Sequence, residues 1–135
     1  MTDHFGDTFF VTKDGSNKNE IVGFMLGFAS PIIKGYLFIW QIAVSPKVQG
    51  QGVGSKLLKY TIDYCRKMDA CSKIIATVET TNKASQYLFE KFNFSIASKK
   101  FKAPYQELIS CEGKEAITNY YNSGTDEIFY LLDNF

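Results

Sequence analysis

"VSPKVQGQGVGSKLL", residues 44–58, is the stretch on which the reading of this chain turns. Three glycines, Gly50, Gly52 and Gly54, stand directly before a segment with the periodicity of an amphipathic helix. Glycine weakens a helix interior and is useful where a backbone turns sharply or comes close to a ligand. The order therefore predicts a loop that brings bare amides to a helix N-terminus. Such an end gathers N–H groups at the positive pole of the helix dipole and suits an anion, a pyrophosphate among them.

On its N-terminal side lies "YLFIWQIAV", residues 36–44, an apolar β-rich run that follows the turn-forming "SPIIKG". Residues 8–11 and 21–29 are two earlier β-rich runs parted by "TKDGSNKN", in which Asp14-Gly15 is a hairpin signal. Together they predict a three-stranded antiparallel meander. On the C-terminal side the period changes from Ser55: Leu57, Leu58, Thr61, Ile62, Cys65 and Met68 share one helical face, with Lys56, Lys59, Asp63 and Lys67 largely outside it. This helix is expected to end near Asp69. "KIIATV", residues 73–78, is apolar on both faces, as a central strand parallel to the one before the helix would be, so 36–78 reads as a βαβ unit. "TTNKASQYLFEKFNF" then carries Ala84, Leu88 and Phe92 at helical spacing with Thr81 or Asn82 as cap. "EIFYLL", residues 127–132, is a final strand, and residues 99–126 are weakly patterned and assigned only loosely.

The 135 residues, 45% hydrophobic and 16% aromatic, suffice for one α/β domain spanning 1–135 with a proper core. A net charge of +1 spread along the chain argues against nucleic acid as a partner, and Lys99, Lys100 and Lys102 read as a solvated strand end. "MTDHFGDTFF" lacks the pattern of a secretory leader, and no apolar run approaches membrane-spanning length, so no membrane partner and a cytoplasmic location are expected. Cys65, Cys71 and Cys111 are odd in number and lack ligand spacing, which predicts reduced, mostly buried thiols. With His4 as the single histidine, no metal site is expected, and His4 itself reads as exposed.

Two familiar phosphate loops do not fit the glycine stretch. A Walker loop needs Gly-Lys-Ser/Thr where this chain has Gly54-Ser55-Lys56, and a Rossmann turn spaces its third glycine differently. Gln49-Gly50-Gln51-Gly52-Val53-Gly54 does match Gln/Arg-x-x-Gly-x-Gly/Ala after a strand ending in "AVSP", and "N-x-x-S-x-x-L-F-x-K-x-x-F" runs from Asn82 to Phe94. Here the chain resembles the GNAT superfamily of acetyl-CoA-dependent N-acetyltransferases, over roughly residues 8–132. "HFGDTFFV", "IVGFMLGF", "LFIWQIAVSPKVQGQGVG" and "NKAS" sharpen it: they are similar to the diaminobutyrate acetyltransferases of ectoine biosynthesis.

The resemblance implies a central mixed, twisted sheet with helices on both faces. It implies that backbone groups of Ile42, Ala43 and Val44 pair with the pantetheine arm of acetyl-CoA, with donors near Ile42 and Ala43 serving an oxyanion. Amides from Gln49, Gly50, Gln51, Gly52, Val53, Gly54 and Ser55 would hold the pyrophosphate, and Asn82 and Phe89 on the following helix would flank the thioester. Many members carry a tyrosine acid where this chain has Phe89, a departure shared by the diaminobutyrate branch. Trp40 and Gln41 are placed at the acceptor.

A carboxylate is expected to take the amine proton. Glu79 at the carboxyl end of the central strand and Glu127 at the start of the last are the candidates, with Asp126 behind them. The leading expectation is acetylation of a small amine, L-2,4-diaminobutyrate first, by a homodimer. Family members begin with a further strand and two helices that precede "MTDHFGDT". This leaves two alternatives: a CoA-binding paralogue with little activity, or an enzyme for peptide or protein amines.

Overall fold

The computed structural model describes residues 2–4, 9–13, 20–29, 34–67, 71–120 and 124–133. Strands and helices make an α/β arrangement that falls into two compact units, Met1–Ile74 with Asp133–Phe135, and Ile75–Leu132.

In the first unit β1 (Thr2–His4), β2 (Phe9–Lys13), β3 (Ile21–Ala29) and β4 (Tyr36–Val44) pair antiparallel in chain order. The expected meander thus gains a fourth strand at its outer edge. The Asp14-Gly15 turn and most of "SPIIKG" lie outside the described residues. Helix α1 (Val53–Lys67) begins two residues earlier than Ser55, and its predicted tail at Met68 and Asp69 lies outside them too. Val53, Leu57, Leu58, Thr61, Ile62 and Cys65 are its buried residues, the face the periodicity predicts with Val53 added at the front. Gly23 lets this helix close on β3: a β-carbon there would stand 2.9 Å from Val53 Cγ1 and 3.1 Å from Leu57 Cδ1. Phe10 of β2 meets Tyr60 and Tyr64 edge-on, with ring centres 4.8 and 5.2 Å away. The Gly35 carbonyl accepts from Ser72 N–H and Lys73 N–H at 2.8 and 2.9 Å, so β5 (Lys73–Glu79) starts beside the start of β4.

In the second unit the strand order is β5, β9 (Glu127–Leu132), β8 (Lys114–Ile117), β7 (Leu108–Cys111), with β6 (Ser95–Ile96) also against β9. Strand β9 is buried from Ile128 to Leu132. Successive strand residues point to opposite faces, and each face has its helix. Tyr130 stacks on Phe89 of α2 (Lys83–Lys91) at 5.8 Å, and Phe129 stacks on Phe101 of α3 (Ser98–Phe101) at 5.6 Å. Buried Ser98 fastens α3, its hydroxyl donating to the Glu115 carbonyl at 2.7 Å and accepting from Phe129 N–H at 3.0 Å.

Three expectations need correction. Lys99 and Lys100 stand on α3 and not at a strand end, because Ser98 and Phe101 anchor that turn as a helix. The buried positions of α2 are Gln86 and Phe89, while Ala84 is exposed, so its inner face is rotated from the one predicted. The loosely assigned 99–126 contains the β7–β8 hairpin, whose turn is Glu112 at φ 53° and Gly113 at φ 81°. That pair of left-handed residues matches the twist a tight hairpin needs. Of the thiols, Cys65 is buried, whereas Cys71 and Cys111 are half-buried. His4 lies in β1, and the exposure expected of its side chain falls outside what is described.

Candidate functional site

The glycine loop of the first unit is set by its own backbone. Ser45 N–H donates to the Val22 carbonyl at 2.7 Å, which ends β4 against β3, and Ser45 Oγ accepts from Lys47 N–H at 3.3 Å to start a short 3-10 turn, Pro46–Val48. Gly50 and Gly52 then adopt φ of 82° and 80°, a region that L side chains disfavour. A β-carbon at either would meet nothing within 4 Å, so the glycines are there for conformation and approach, not for packing. Gly54 has a different place, inside the first turn of α1. The first intrahelical bond runs from Lys56 N–H to the Gly52 carbonyl at 3.0 Å, and the amides of Val53 and Gly54 lie ahead of it. Gln51 N–H is taken up inside the loop by the Val48 carbonyl at 3.2 Å. The first turn holds no acidic residue, which leaves the positive pole of α1 unopposed. Gln49, Gly50, Gln51 and Gly52 are exposed, Val53 is buried, and Gly54 and Ser55 are half-buried. These features fit an anionic diphosphate cradled by main chain.

Just upstream, β4 carries a bulge. Leu26 pairs with Gln41 and Gly27 with Ile39, so Trp40 is the extra residue. Bulges re-aim side chains, and Trp40 and Gln41, neighbours in sequence, are both exposed, Trp40 at 64%. Gly27 permits the distortion, since a β-carbon there would sit 2.8 Å from the Phe38 carbonyl oxygen. Exposed Phe28 stacks on half-buried Phe38 at 5.3 Å and lies 6.2 Å from exposed Trp40, forming an aromatic row. Ile42, Ala43 and Val44 are half-buried and pair with Met25, Phe24 and Gly23.

In the second unit the ends of β5 and β9 bring three carboxylates together. Thr80 N–H donates to the Asp126 carbonyl at 3.0 Å, which sets Glu79 beside Glu127. Glu127 is half-buried, and its Oε2 is enclosed without a hydrogen-bond partner among the described residues. Burial foremost, then the negative charges of Glu79 and Asp126, push its carboxyl up to about 7 from an ordinary 4.5. Glu79 is exposed, and one of its oxygens accepts from Thr81 Oγ1 at 3.4 Å. Asp126 Oδ1 is engaged by Asn119 N–H at 2.9 Å. Of the predicted acids, then, Glu127 has the perturbed environment of a proton-transfer group.

Asn82, not Thr81, caps α2, its Oδ1 accepting from Ser85 N–H at 3.1 Å. Phe89 is 4% exposed, set between Tyr130 and Phe94, so its ring belongs to the core of this unit. Sequence reasoning missed Gln86. This residue is buried, donates to two carbonyls at the end of β5 and accepts from Lys114. The available signal was a polar residue three positions before Phe89 on one helical face. Among the described residues no three His, Cys, Asp or Glu side chains are grouped to hold a metal ion, and no helix is long and apolar enough to cross a membrane.

Known proteins share this sequence and fold. An L-2,4-diaminobutyric acid acetyltransferase of Shouchella clausii is 43% identical over 94 residues, 67% of this chain and 49% of that one. Its counterpart in Halalkalibacterium halodurans is 38% identical over 94 residues, 67% of this chain and 46% of that one. The chain spans about half the length of the curated relatives it matches. A GNAT family acetyltransferase from Elizabethkingia anophelis, solved with acetyl-CoA bound, superposes with a TM-score of 0.64 at 27% identity, covering 93% of this chain and 75% of that one. The ribosomal-protein-S18-alanine N-acetyltransferase of Escherichia coli shares the fold with a TM-score of 0.65 at 22% identity, over 96% of this chain and 70% of that one. The sequence model described as the acetyltransferase (GNAT) family matches residues 1–94, and with the glycine loop and the α/β fold in agreement, this chain belongs to that family.

Proposed function

We propose that the chain is an acetyl-CoA-dependent N-acetyltransferase for a small, positively charged amine, with L-2,4-diaminobutyrate the leading acceptor. The observation that carries the reading is Glu127, a half-buried carboxyl beside two further acids at the ends of β5 and β9. Three carboxylates favour an acceptor that arrives as a cation, and a diamino acid brings two ammonium groups. The relatives, L-2,4-diaminobutyric acid acetyltransferases, support the same choice.

When bound, acetyl-CoA supplies the thioester carbonyl and a thiolate leaving group. The chain's own groups do the rest. Amides of Val53 and Gly54 at the head of α1, with the loop at Gly50 and Gly52, hold the diphosphate. Ile42, Ala43 and Val44 offer main-chain groups to the pantetheine arm, and donors near Ile42 and Ala43 are oriented in advance for the oxygen that gains charge. Glu127 accepts the proton of the attacking amine nitrogen as the N–C bond forms and the C–S bond breaks. A carboxyl half-ionised near neutral pH is suited to that task. Trp40 and Gln41, presented by the bulge, line the acceptor side. Alignment of two reactants contributes as well, up to on the order of 7 to 11 kcal/mol when the fit is good.

The test is calorimetric titration with CoA and acetyl-CoA, then L-2,4-diaminobutyrate in the same cell, with thiol release followed in parallel. Heat from the cofactor and from the diamine with release of thiol is the expected result. Cofactor heat with no response to the diamine would remove this acceptor. Turnover of peptides would then select a peptide amine, and no turnover would select a CoA-binding chain of little activity. The reading includes a cytoplasmic homodimer, and a monomer by sedimentation at high concentration would remove the dimer.

A further inference from the structure

We propose that Gln86 is a positioning residue for the carboxylate site, holding the end of β5 against the start of β9 so that Glu79 stays beside Glu127. Gln86 is 1% exposed and uses both kinds of group on its amide. Nε2 donates to the carbonyl oxygens of Glu79 at 3.1 Å and Thr80 at 3.0 Å, and Oε1 accepts from Lys114 Nζ at 3.0 Å. The Glu79–Thr80 peptide is consequently gripped at both ends. Its carbonyl, that of Glu79, is held by Gln86, and its N–H, that of Thr80, reaches the carbonyl of Asp126, the residue before Glu127. A change at Gln86 is therefore one peptide group away from the backbone that carries Glu127.

The far side of the network is tied as well. Lys114 pairs with Glu90 Oε2 at 2.8 Å, and that oxygen also accepts from Tyr130 Oη at 2.6 Å. Tyr130 lies three residues along β9 from Glu127. The chain of contacts thus runs from β5 through α2 and β8 to β9, closing on the strand where it matters. Only an amide supplies this set: a carboxylate would face two carbonyls without a donor, and an apolar side chain would leave those carbonyls and Lys114 unmatched in a buried place. Around Glu127 the acidic neighbours are Glu79 from β5 and Asp126 just before β9, while β8 presents uncharged Ile117 opposite it. Holding or releasing Glu79 is accordingly the variable that Gln86 controls. The catalytic consequence rests on Glu127 being the base, as read above.

The test is Gln86→Met, of similar length and without hydrogen-bonding groups. Its readout is the titration of the Glu127 carboxyl by carbon-13 NMR in glutamate-labelled protein, assigned with Glu127→Gln. The expected result is a midpoint that falls below about 7 by the share that Glu79 contributes, with burial still holding it above the ordinary 4.5. A roughly tenfold fall in kcat should accompany it with KM for acetyl-CoA unchanged, the size expected of a small misplacement. A lowered melting temperature with the midpoint unmoved would overturn the proposal, since a purely structural glutamine predicts that. A moved midpoint in a protein that shows no acetyl transfer even as wild type would uphold the positioning role and remove the assigned base. If Gln86→Met does not fold, Lys114→Met, which releases Gln86 Oε1 together with the Glu90 pairing, is titrated in the same way, and an unmoved midpoint there overturns the proposal.

Discussion

The two compact units present chemistry of opposite kinds. Around residues 44–56 the groups proposed to work are main-chain amides, uncharged and fixed by backbone dihedrals, with Gly50 and Gly52 held at positive φ. At the ends of β5 and β9 they are carboxylates, whose behaviour is set by enclosure and by one another. The difference teaches what each region can respond to. An amide cradle is indifferent to pH and is damaged only by changing the backbone path. A carboxylate cluster responds to pH and to the exchange of a single oxygen for a nitrogen. Substitutions that should affect one region and spare the other test the contrast.

The largest effect is expected from Glu127→Gln. It keeps the shape of the side chain and removes its proton affinity, so acetyl transfer should fall by about 10² to 10⁴-fold, the usual contribution of a positioned base. CoA affinity by calorimetry should not change. The same assignment makes the wild-type rate rise with pH and reach half its plateau near pH 7, because Glu127 must lose its proton to act. A variant that keeps its rate, or a profile flat from pH 5 to 9, would end the assignment.

Gly52→Val addresses the other region. Valine at φ 80° is strained by on the order of 1–3 kcal/mol, which the loop can relieve only by leaving its present path. CoA affinity should therefore weaken by about ten- to a hundredfold. The fold should persist, since a β-carbon there has open space around it. Unchanged CoA affinity in the folded variant would remove the loop from the cofactor site.

What could be read in advance follows the same division. Local signals located β3, β4 and β9 to the residue, because alternating or continuous apolar runs bounded by turn residues specify a strand by themselves. The glycine loop was legible because a positive φ imposes a residue type. The bulge at Trp40 was not, since nothing in "YLFIWQIAV" interrupts the β pattern and the irregularity arises from pairing with Gly27. Nor was the role of Gln86, whose partners Lys114 and Glu90 meet it only after α2 and the β7–β8 hairpin are in place. Glu127 was nameable as an acid at a strand start, but its raised proton affinity depends on burial first and then on Glu79, 48 positions earlier, and no local pattern encodes either.

A smaller effect is expected from Phe89→Tyr, which installs the tyrosine hydroxyl that the family resemblance implies at this position. Here the ring is 4% exposed, stacked on Tyr130 and edge-on to Phe94. A hydroxyl added to that buried setting gives up its water and should lower stability by about 1–3 kcal/mol. Denaturant unfolding measures the loss, and the rate should not rise. A faster enzyme would show that the ring reaches the leaving thiolate, and would move Phe89 from the core to the site.

The smallest effect has the opposite sign and comes from the carboxylate region again. The folded carboxyl of Glu127 titrates near 7, against 4.5 for an ordinary glutamate. Between those values the folded chain holds a proton that the unfolded chain has released, so stability falls as pH rises through that window. Above pH 7 the charged group carries its full penalty, and at pH 4.5 and below most of it is absent. Glu127→Gln removes the charge, so the variant should be more stable than wild type at pH 8, by about 1 kcal/mol once solvent screening of a half-exposed group is allowed for. At pH 4.5 the two should unfold at nearly the same denaturant concentration. An equal gain at both pH values would mean that packing, not charge, is the source of the strain, and would separate Glu127 from its acidic neighbours. A gain confined to high pH, in the variant that has lost its activity, would show that this region gives up stability to keep a proton acceptor poised near neutrality, which an amide cradle has no means of doing.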